Sequence, residues 1–283
     1  MTGDLHRWHV LATLSILALS ALSALLGLFR PGHYNDAPGL VESYQMQDLA
    51  ILVVGIPVLA VGLWYAMRGS PRGRVVWLGG LAYATYLWGS VAIQIAFNEL
   101  FLVYVALFGL SLFTLIGGFV TTDAEAIRNS VEDRIRPSRY SGFLVLIGVG
   151  LAALWLSDIV PALLSGTTPR IVEEAGPQAM ASHVLDLGVV VPSIFLAAAW
   201  LYQRRTWGFV FAGVVLVLGA TLGASIASMT LVLGRGDAVT VSPVAAFFSY
   251  LPVLVAAVLA VTYVFSMKRE RQPSANEGDR QSA

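Results

Sequence analysis

The chain has 283 residues, of which 57% are hydrophobic and only 12% are charged, and its formal net charge is zero. A soluble domain carries about twice that charged fraction, and a single soluble core of this length has no room for so much apolar surface. The balanced charge excludes the basic surface that nucleic-acid binding needs. We therefore expect an all-α, polytopic membrane protein whose main partner is the lipid bilayer.

Eight apolar runs follow one another along the chain, each about 20 residues long, which is the length of a helix that crosses a bilayer. They cover residues 8–29, 49–67, 75–95, 100–120, 141–164, 184–202, 207–233 and 244–267. The third and fourth runs are separated by a short polar stretch at Asn98 and Glu99, which suits a tight turn. Arg7 ahead of the first run also fits a secretory signal peptide, but the run is longer than such a peptide needs.

Lys and Arg residues are distributed in strict alternation between the loops. Fourteen of the seventeen lie before the first run, after the last run, or in every second loop between them. The other loops contain only Arg30, Arg170 and Arg235. Because positive residues are enriched in cytoplasmic loops, this pattern predicts eight spans in the plasma membrane, with both termini in the cytoplasm.

The two halves of the chain resemble one another weakly. The second run has Asp48 near its start and Pro57 inside it, and the sixth run has Asp186 and Pro192. This pattern predicts two parallel four-helix halves, with Asp48 and Asp186 at equivalent positions. The halves are residues 1–120 and 140–267, joined by a linker at 121–139 and followed by a disordered tail at 268–283. The alternative is that membrane helices share such residues by composition alone.

The linker carries an apolar stripe formed by Ile127, Val131 and Ile135, and Pro137 follows it. This spacing predicts an amphipathic helix on the inner surface of the membrane. A plain connection between the two halves is the simpler interpretation, and docking of a partner protein is the alternative.

Ionisable side chains within membrane spans are energetically costly and are therefore functional candidates. In this chain they gather at the outer ends of the predicted spans, which predicts an outward-facing polar cup for a small polar or cationic ligand. The candidate ligand-binding residues are Glu42, Asp48, Asn98, Glu99, Asp158, His183 and Asp186. The alternative is that these residues cap helix ends and contact interfacial water.

Other kinds of site find no support in the sequence. The absence of cysteine excludes thiolate metal sites and cysteine nucleophiles. The one lysine, Lys268, follows the last run, so a retinal Schiff base within the bundle is excluded. The outer histidines lack metal-binding spacing, and nucleotide-binding glycine loops are absent. We therefore expect no metal, cofactor or catalytic residue.

Three functions stay open from the sequence. The first is a binding or transport protein that uses the outer cup. The second is a non-catalytic assembly or sensor subunit that acts through helix packing. The third is an intramembrane enzyme that uses the outer carboxylates and His183 on a lipid or envelope substrate.

Three stretches of the sequence, residues 97–112, 155–164 and 183–192, resemble a group of uncharacterised bacterial multi-pass membrane proteins. The resemblance covers most of the chain and implies an eight-span fold. It carries no activity, ligand or partner, so it assigns no functional residue.

Overall fold

A computed structural model describes residues 5–36, 38–233 and 243–268 of the chain. Within these ranges the protein is 85% helical and has no strand, which confirms the predicted all-α fold. The first part of the chain forms the helices α1 (Arg7–Phe29), α2 (Pro38–Ala50), α3 (Ile56–Ala66), α4 (Pro71–Gln94) and α5 (Phe101–Val120). A π-helix, Ile51–Gly55, joins α2 and α3 into one rod.

The second part of the chain follows a related order of elements. Its helices are α6 (Ala124–Val131), α7 (Pro137–Ser165), α8 (Arg170–Ala175), α9 (Met180–Leu185), α10 (Val191–Tyr202), α11 (Thr206–Leu233) and α12 (Pro243–Ser266). Short 3-10 turns follow α6 and α8, and a second π-helix, Asp186–Val190, joins α9 and α10.

Seven helical segments of the described residues are long and apolar enough to cross a membrane. They are α1, the rod from Leu40 to Ala66, α4, α5, α7, the rod from Pro177 to Tyr202, and α11. The protein is therefore a multi-pass integral membrane protein. The predicted eighth span coincides with α12, so the count of eight stays a prediction. The predicted tail beyond Lys268 lies outside the described residues.

Each rod widens into its π-helix just ahead of a proline, Pro57 in one rod and Pro192 in the other. The N–H of the residue after each π-helix donates to the carbonyl five residues back instead of four. In a regular α-helix the ring of a proline collides with the carbonyl four residues before it. The wider turn moves that carbonyl away from the ring, so the prolines account for the positions of both π-helices.

Several helix boundaries recur at one interval. The π-helices begin at residues 51 and 186, the helices after them at 56 and 191, and the next helices at 71 and 206, which are 135 residues apart in each case. The connecting turns both contain a left-handed residue, Gly69 with φ 72° and Arg204 with φ 55°. The turn that leaves each rod therefore has the same backbone geometry.

Two glycines on the same interval explain why these turns are tight. Gly73 and Gly208 lie in the first turns of α4 and α11, directly against the helix that precedes them. A Cβ atom at either position would overlap with backbone atoms at residues 65–66 or 200–201, respectively. Only glycine permits this approach of two helices.

The helices α4 and α11 pack on each other at the centre of the bundle. Their most deeply buried side chains include Trp77, Leu78 and Phe209. The helices α3 and α5 pack on α4, and α10 and α12 pack on α11. The helix α7 packs mainly on α10 and exposes apolar side chains such as Leu146 and Leu154, as expected for a lipid-facing helix.

The linker helix α6 packs against α4, α11 and α12. Ile127 and Val131 are buried in these contacts, so this stripe lies against protein and not on the membrane surface as predicted. The helix also ends earlier than the stripe suggested, because Ile135 has extended backbone angles. Glu132 accepts hydrogen bonds from Arg128 at 2.8 Å and lies 3.6 Å from Arg204, which ties the linker to the start of α11.

Candidate functional site

The loops meet at two opposite ends of the bundle. One end joins the loop after α1 to the loop before α5, through a hydrogen bond from the Asn35 side chain to the carbonyl of Phe97. This end also carries Asp48 and Asp186, and we call it the carboxylate end. The other end carries Arg128, Glu132 and Arg204, and we call it the arginine end.

Asp48 lies on α2 and is 4% exposed, facing α1. The hydroxyl of Tyr34 donates a hydrogen bond of 2.5 Å to its Oδ2 atom. A Cβ atom on Gly27 of α1 would overlap with this same carboxylate oxygen and with the Tyr34 hydroxyl. The glycine therefore makes the space in which the carboxylate is buried.

Four aromatic rings surround the Asp48 carboxylate: Tyr34, Tyr44, Trp88 and Tyr104. The rings of Trp88 and Tyr104 stack with centroids 6.0 Å apart, and those of Tyr34 and Tyr44 lie 5.3 Å apart. Apolar side chains from α4 and from the first π-helix close the remaining wall. We call these four rings with Asp48 the aromatic box.

Hydrogen bonds hold the rings of the box in place. The Trp88 indole N–H donates to Ser20 on α1 at 3.1 Å. The Tyr104 hydroxyl lies 3.1 Å from Nε2 of His33 and accepts from the Asn98 side chain at 3.2 Å. Asn98, a candidate from the sequence, therefore positions a wall of the box.

The box is small. The space between its walls, including the open side, is about 230 Å³, which is below the ~300–1,000 Å³ of pockets for drug-sized ligands. Much of this space lies at the opening, and the free interior is close to the size of one water molecule. Any occupant is therefore no larger than a few heavy atoms.

The charges in the loops around the box are balanced. Burial and then the neighbouring Asp48 raise the pKa of the Tyr34 phenol, so its hydroxyl keeps its proton and donates it. Burial and the nearby Arg30 lower the pKa of His33, which keeps its ring neutral at neutral pH. Hydrogen bonding to Arg30 lowers the pKa of Glu99. Among the described residues, no basic side chain lines the box.

A second polar cluster lies where α4, α7 and the second rod meet. Asp186 is the first residue of the π-helix and is 6% exposed. Its carboxylate accepts a hydrogen bond of 2.8 Å from the Trp155 indole and another from the Tyr86 hydroxyl of α4. His183 lies one turn earlier, and its ring is 4.0 Å from the ring of Trp155.

The remaining candidates have local roles. Asp158 accepts hydrogen bonds from the backbone N–H groups of Arg170 and Ile171, at 3.1 and 3.3 Å, at the start of α8. Glu99 forms an exposed ion pair with Arg30 at 2.7 Å, and Glu42 is exposed on α2. The seven candidates thus divide into the aromatic box (Asp48, Asn98), the second cluster (His183, Asp186) and these three outlying carboxylates.

The sequence analysis found the carboxylates of both clusters but not the rings around them. Tyr44, Trp88 and Tyr104 are ordinary aromatic residues of membrane helices when seen in the sequence alone. A usable signal was present, because Tyr86 and Trp88 both lie in the last third of α4, at the carboxylate end. Aromatic residues at the depth of a buried carboxylate were therefore the missing criterion.

No family model, curated protein or solved structure matches this chain. Within the described ranges, no three His, Asp or Glu side chains lie close enough together to hold a metal ion. The fold and the two clusters define a multi-pass, all-α integral membrane protein with buried carboxylates near one end of the bundle.

Gly27→Ala tests whether the Asp48 carboxylate depends on the space at residue 27. We expect a loss of about 1–3 kcal/mol of stability, because the methyl group displaces the carboxylate from Tyr34. The same substitution in an Asp48→Ala protein should cost much less. Thermal unfolding in detergent measures both values, and equal costs in the two backgrounds would contradict the contact.

The matched control is Gly150→Ala, which replaces an exposed glycine in the middle of α7 where no described atom lies within 4 Å of the new Cβ. Stability there should be unchanged or slightly raised, because alanine favours a helix over glycine.

Proposed function

We propose that this protein binds a small ammonium-type cation, such as ammonium or methylammonium, in the aromatic box. The observation that carries the proposal is a buried carboxylate, Asp48, enclosed by four aromatic rings. Aromatic faces attract weakly hydrated cations through their ring quadrupoles, and the carboxylate supplies the countercharge. The box thus offers the two groups that such a cation needs.

Other small ligands fit the box less well. An anion would face the Asp48 carboxylate without a basic side chain among the described lining residues. Mg²⁺ and Ca²⁺ need about six to eight oxygen ligands, but the box offers one carboxylate, hydroxyl groups and ring faces. An ammonium group also donates hydrogen bonds, which the second oxygen of Asp48 is able to accept. The free interior limits the ligand to a cation of this size.

We further propose that the carboxylate end faces the outside of the cell and that the protein lies in the plasma membrane with eight spans. The arginine-rich loops support this orientation through the enrichment of positive residues in cytoplasmic loops. In this arrangement α12 is the eighth span and the box opens towards the outer surface.

We also propose that residues 1–120 and 140–267 form an internal repeat in parallel orientation. The interval of 135 residues between equivalent helix boundaries, left-handed turns and close-packed glycines supports it. This interval pairs Asp48 with His183, where the sequence pattern had paired it with Asp186. Two such halves, in contact through α4 and α11, suit a transporter in which one half moves against the other.

Methylammonium should raise the melting temperature of the purified protein, because a ligand that binds only the folded state stabilises it. Asp48→Asn should abolish the effect, since it removes the countercharge with little change in shape. Tyr44→Phe should keep the effect and Tyr44→Leu should weaken it, because only the ring face is needed. Differential scanning fluorimetry in detergent measures the shifts.

Two controls make this experiment specific. Asp158→Asn removes a carboxylate of the same end outside the box and should leave the methylammonium shift intact. Sodium chloride at the same concentration should produce a much smaller shift. Equal shifts with sodium chloride, or an undiminished shift in Asp48→Asn, would exclude the box as the binding site.

The orientation is testable by cysteine labelling, because the chain contains no native cysteine. A membrane-impermeant maleimide should label Glu99→Cys in intact cells, and it should label Arg134→Cys only after the cells are opened. Both positions are exposed, so access to the side chain is equal. Labelling of Arg134→Cys in intact cells would reverse the proposed orientation.

A further inference from the structure

The second cluster contains a buried polar side chain that the cation site does not use. His183 is 2% exposed, and neither of its ring nitrogens has a hydrogen-bond partner among the described residues. A buried imidazole always has at least one N–H to donate, and leaving such a group unsatisfied is costly. The position of His183 therefore needs a functional or structural reason.

The groups around His183 come from three elements. Helix α7 contributes the Trp155 ring, and helix α4 contributes Tyr86, which hydrogen-bonds Asp186. The second rod contributes Asp186 itself, whose charge acts on His183. The 3-10 turn before α9 contains only Pro, Gln and Ala, so it adds no titratable group.

Other charged groups of this region belong to a separate contact. Asp158 of α7 is held by the backbone at the start of α8, where Arg170 lies. Helix α4 also reaches the second rod through Gln94, whose amide donates to Ser182 at 2.9 Å. Asp186 is therefore the carboxylate available to balance a charge on His183.

The position of His183 in its rod matches that of Asp48 in the first rod. Each residue lies three positions before the start of a π-helix, at residues 51 and 186. Both clusters also rest on the same helix, because Trp88 lines the aromatic box and Tyr86 contacts Asp186. The second rod thus has a titratable imidazole where the first has its cation-binding carboxylate.

We propose that His183 is a proton-binding site, with Asp186 as its countercharge. The neutral imidazole takes up one proton from water at the carboxylate end and becomes an imidazolium that faces the Asp186 carboxylate. It releases the same proton to water when it returns to the neutral form. Histidine suits this role because imidazole changes charge between about pH 5 and 8.

The Trp155 and Tyr86 hydrogen bonds serve the same site. They hold the Asp186 carboxylate in one orientation beside α9, so the countercharge is in place before the proton arrives. This site differs from the aromatic box in ligand and in the half of the chain that builds it. It therefore stands independently of the proposed cation binding.

Histidine side-chain NMR tests the proposal on the full chain in detergent or nanodiscs, with isotope-labelled histidine. The protein has four histidines, so it gives four imidazole signals. The His183 signal is assigned by elimination, using His6→Gln, His9→Gln and His33→Gln, so that His183 itself stays intact.

We expect the His183 signal to move reversibly between the neutral and the charged position as the pH falls from about 8 to 5. Asp186→Asn should change this titration and leave that of His33 unaltered, whereas Asp158→Asn should change neither. A His183 signal that stays at the neutral position while the protein remains folded would overturn the proposal. So would a titration that is identical in the wild type and in Asp186→Asn.

This outcome is separable from that of the cation proposal, since no methylammonium is present in the titration. A normal His183 titration in a protein that binds no methylammonium would leave the proton site intact and exclude the cation site. The reverse combination would leave only the cation site.

Discussion

A carboxylate that lies among apolar helices has to be hydrogen-bonded by the protein itself, because the surrounding hydrocarbon offers no partner. This constraint shapes the carboxylate end of the bundle. Asp48 is buried because Gly27 leaves room for it on α1, and Tyr34 comes back from the following loop to donate to it. Asp186 meets the same requirement with donors from two other helices, Trp155 and Tyr86. The rings that satisfy these carboxylates also form the walls of the proposed sites.

The central helices connect the two clusters. Trp88 and Tyr86 lie two residues apart on α4, so the aromatic box and the second cluster share one rigid element. Helix α4 in turn packs on α11, and the second rod contacts α4 as the first rod contacts α11. A shift of α4 caused by a ligand in one cluster would therefore change the contacts of the other. Such a shared element is what coupling between two sites requires.

The sequence predicted the elements that depend on local composition. Apolar runs identified the spans, and the rule that buried carboxylates are costly singled out Asp48 and Asp186. It did not predict which of these groups converge, since that depends on helix rotation and on contacts such as Gly27 with Asp48. Asp158 looked as informative as Asp48, yet it caps a loop helix. The π-helices show the same limit, because Pro57 and Pro192 were visible but the widened turn, and with it the register that pairs Asp48 with His183, was not.

The central claim is that the aromatic box around Asp48 holds one small ammonium-type cation, and direct binding tests it best. In equilibrium dialysis of the purified protein with radiolabelled methylammonium, the wild type should saturate at a single cation per chain. Asp48→Asn, with the same fold and the same net number of aromatic rings, should show no saturable binding. Saturable binding of equal affinity in Asp48→Asn, or none in the folded wild type, would contradict the account.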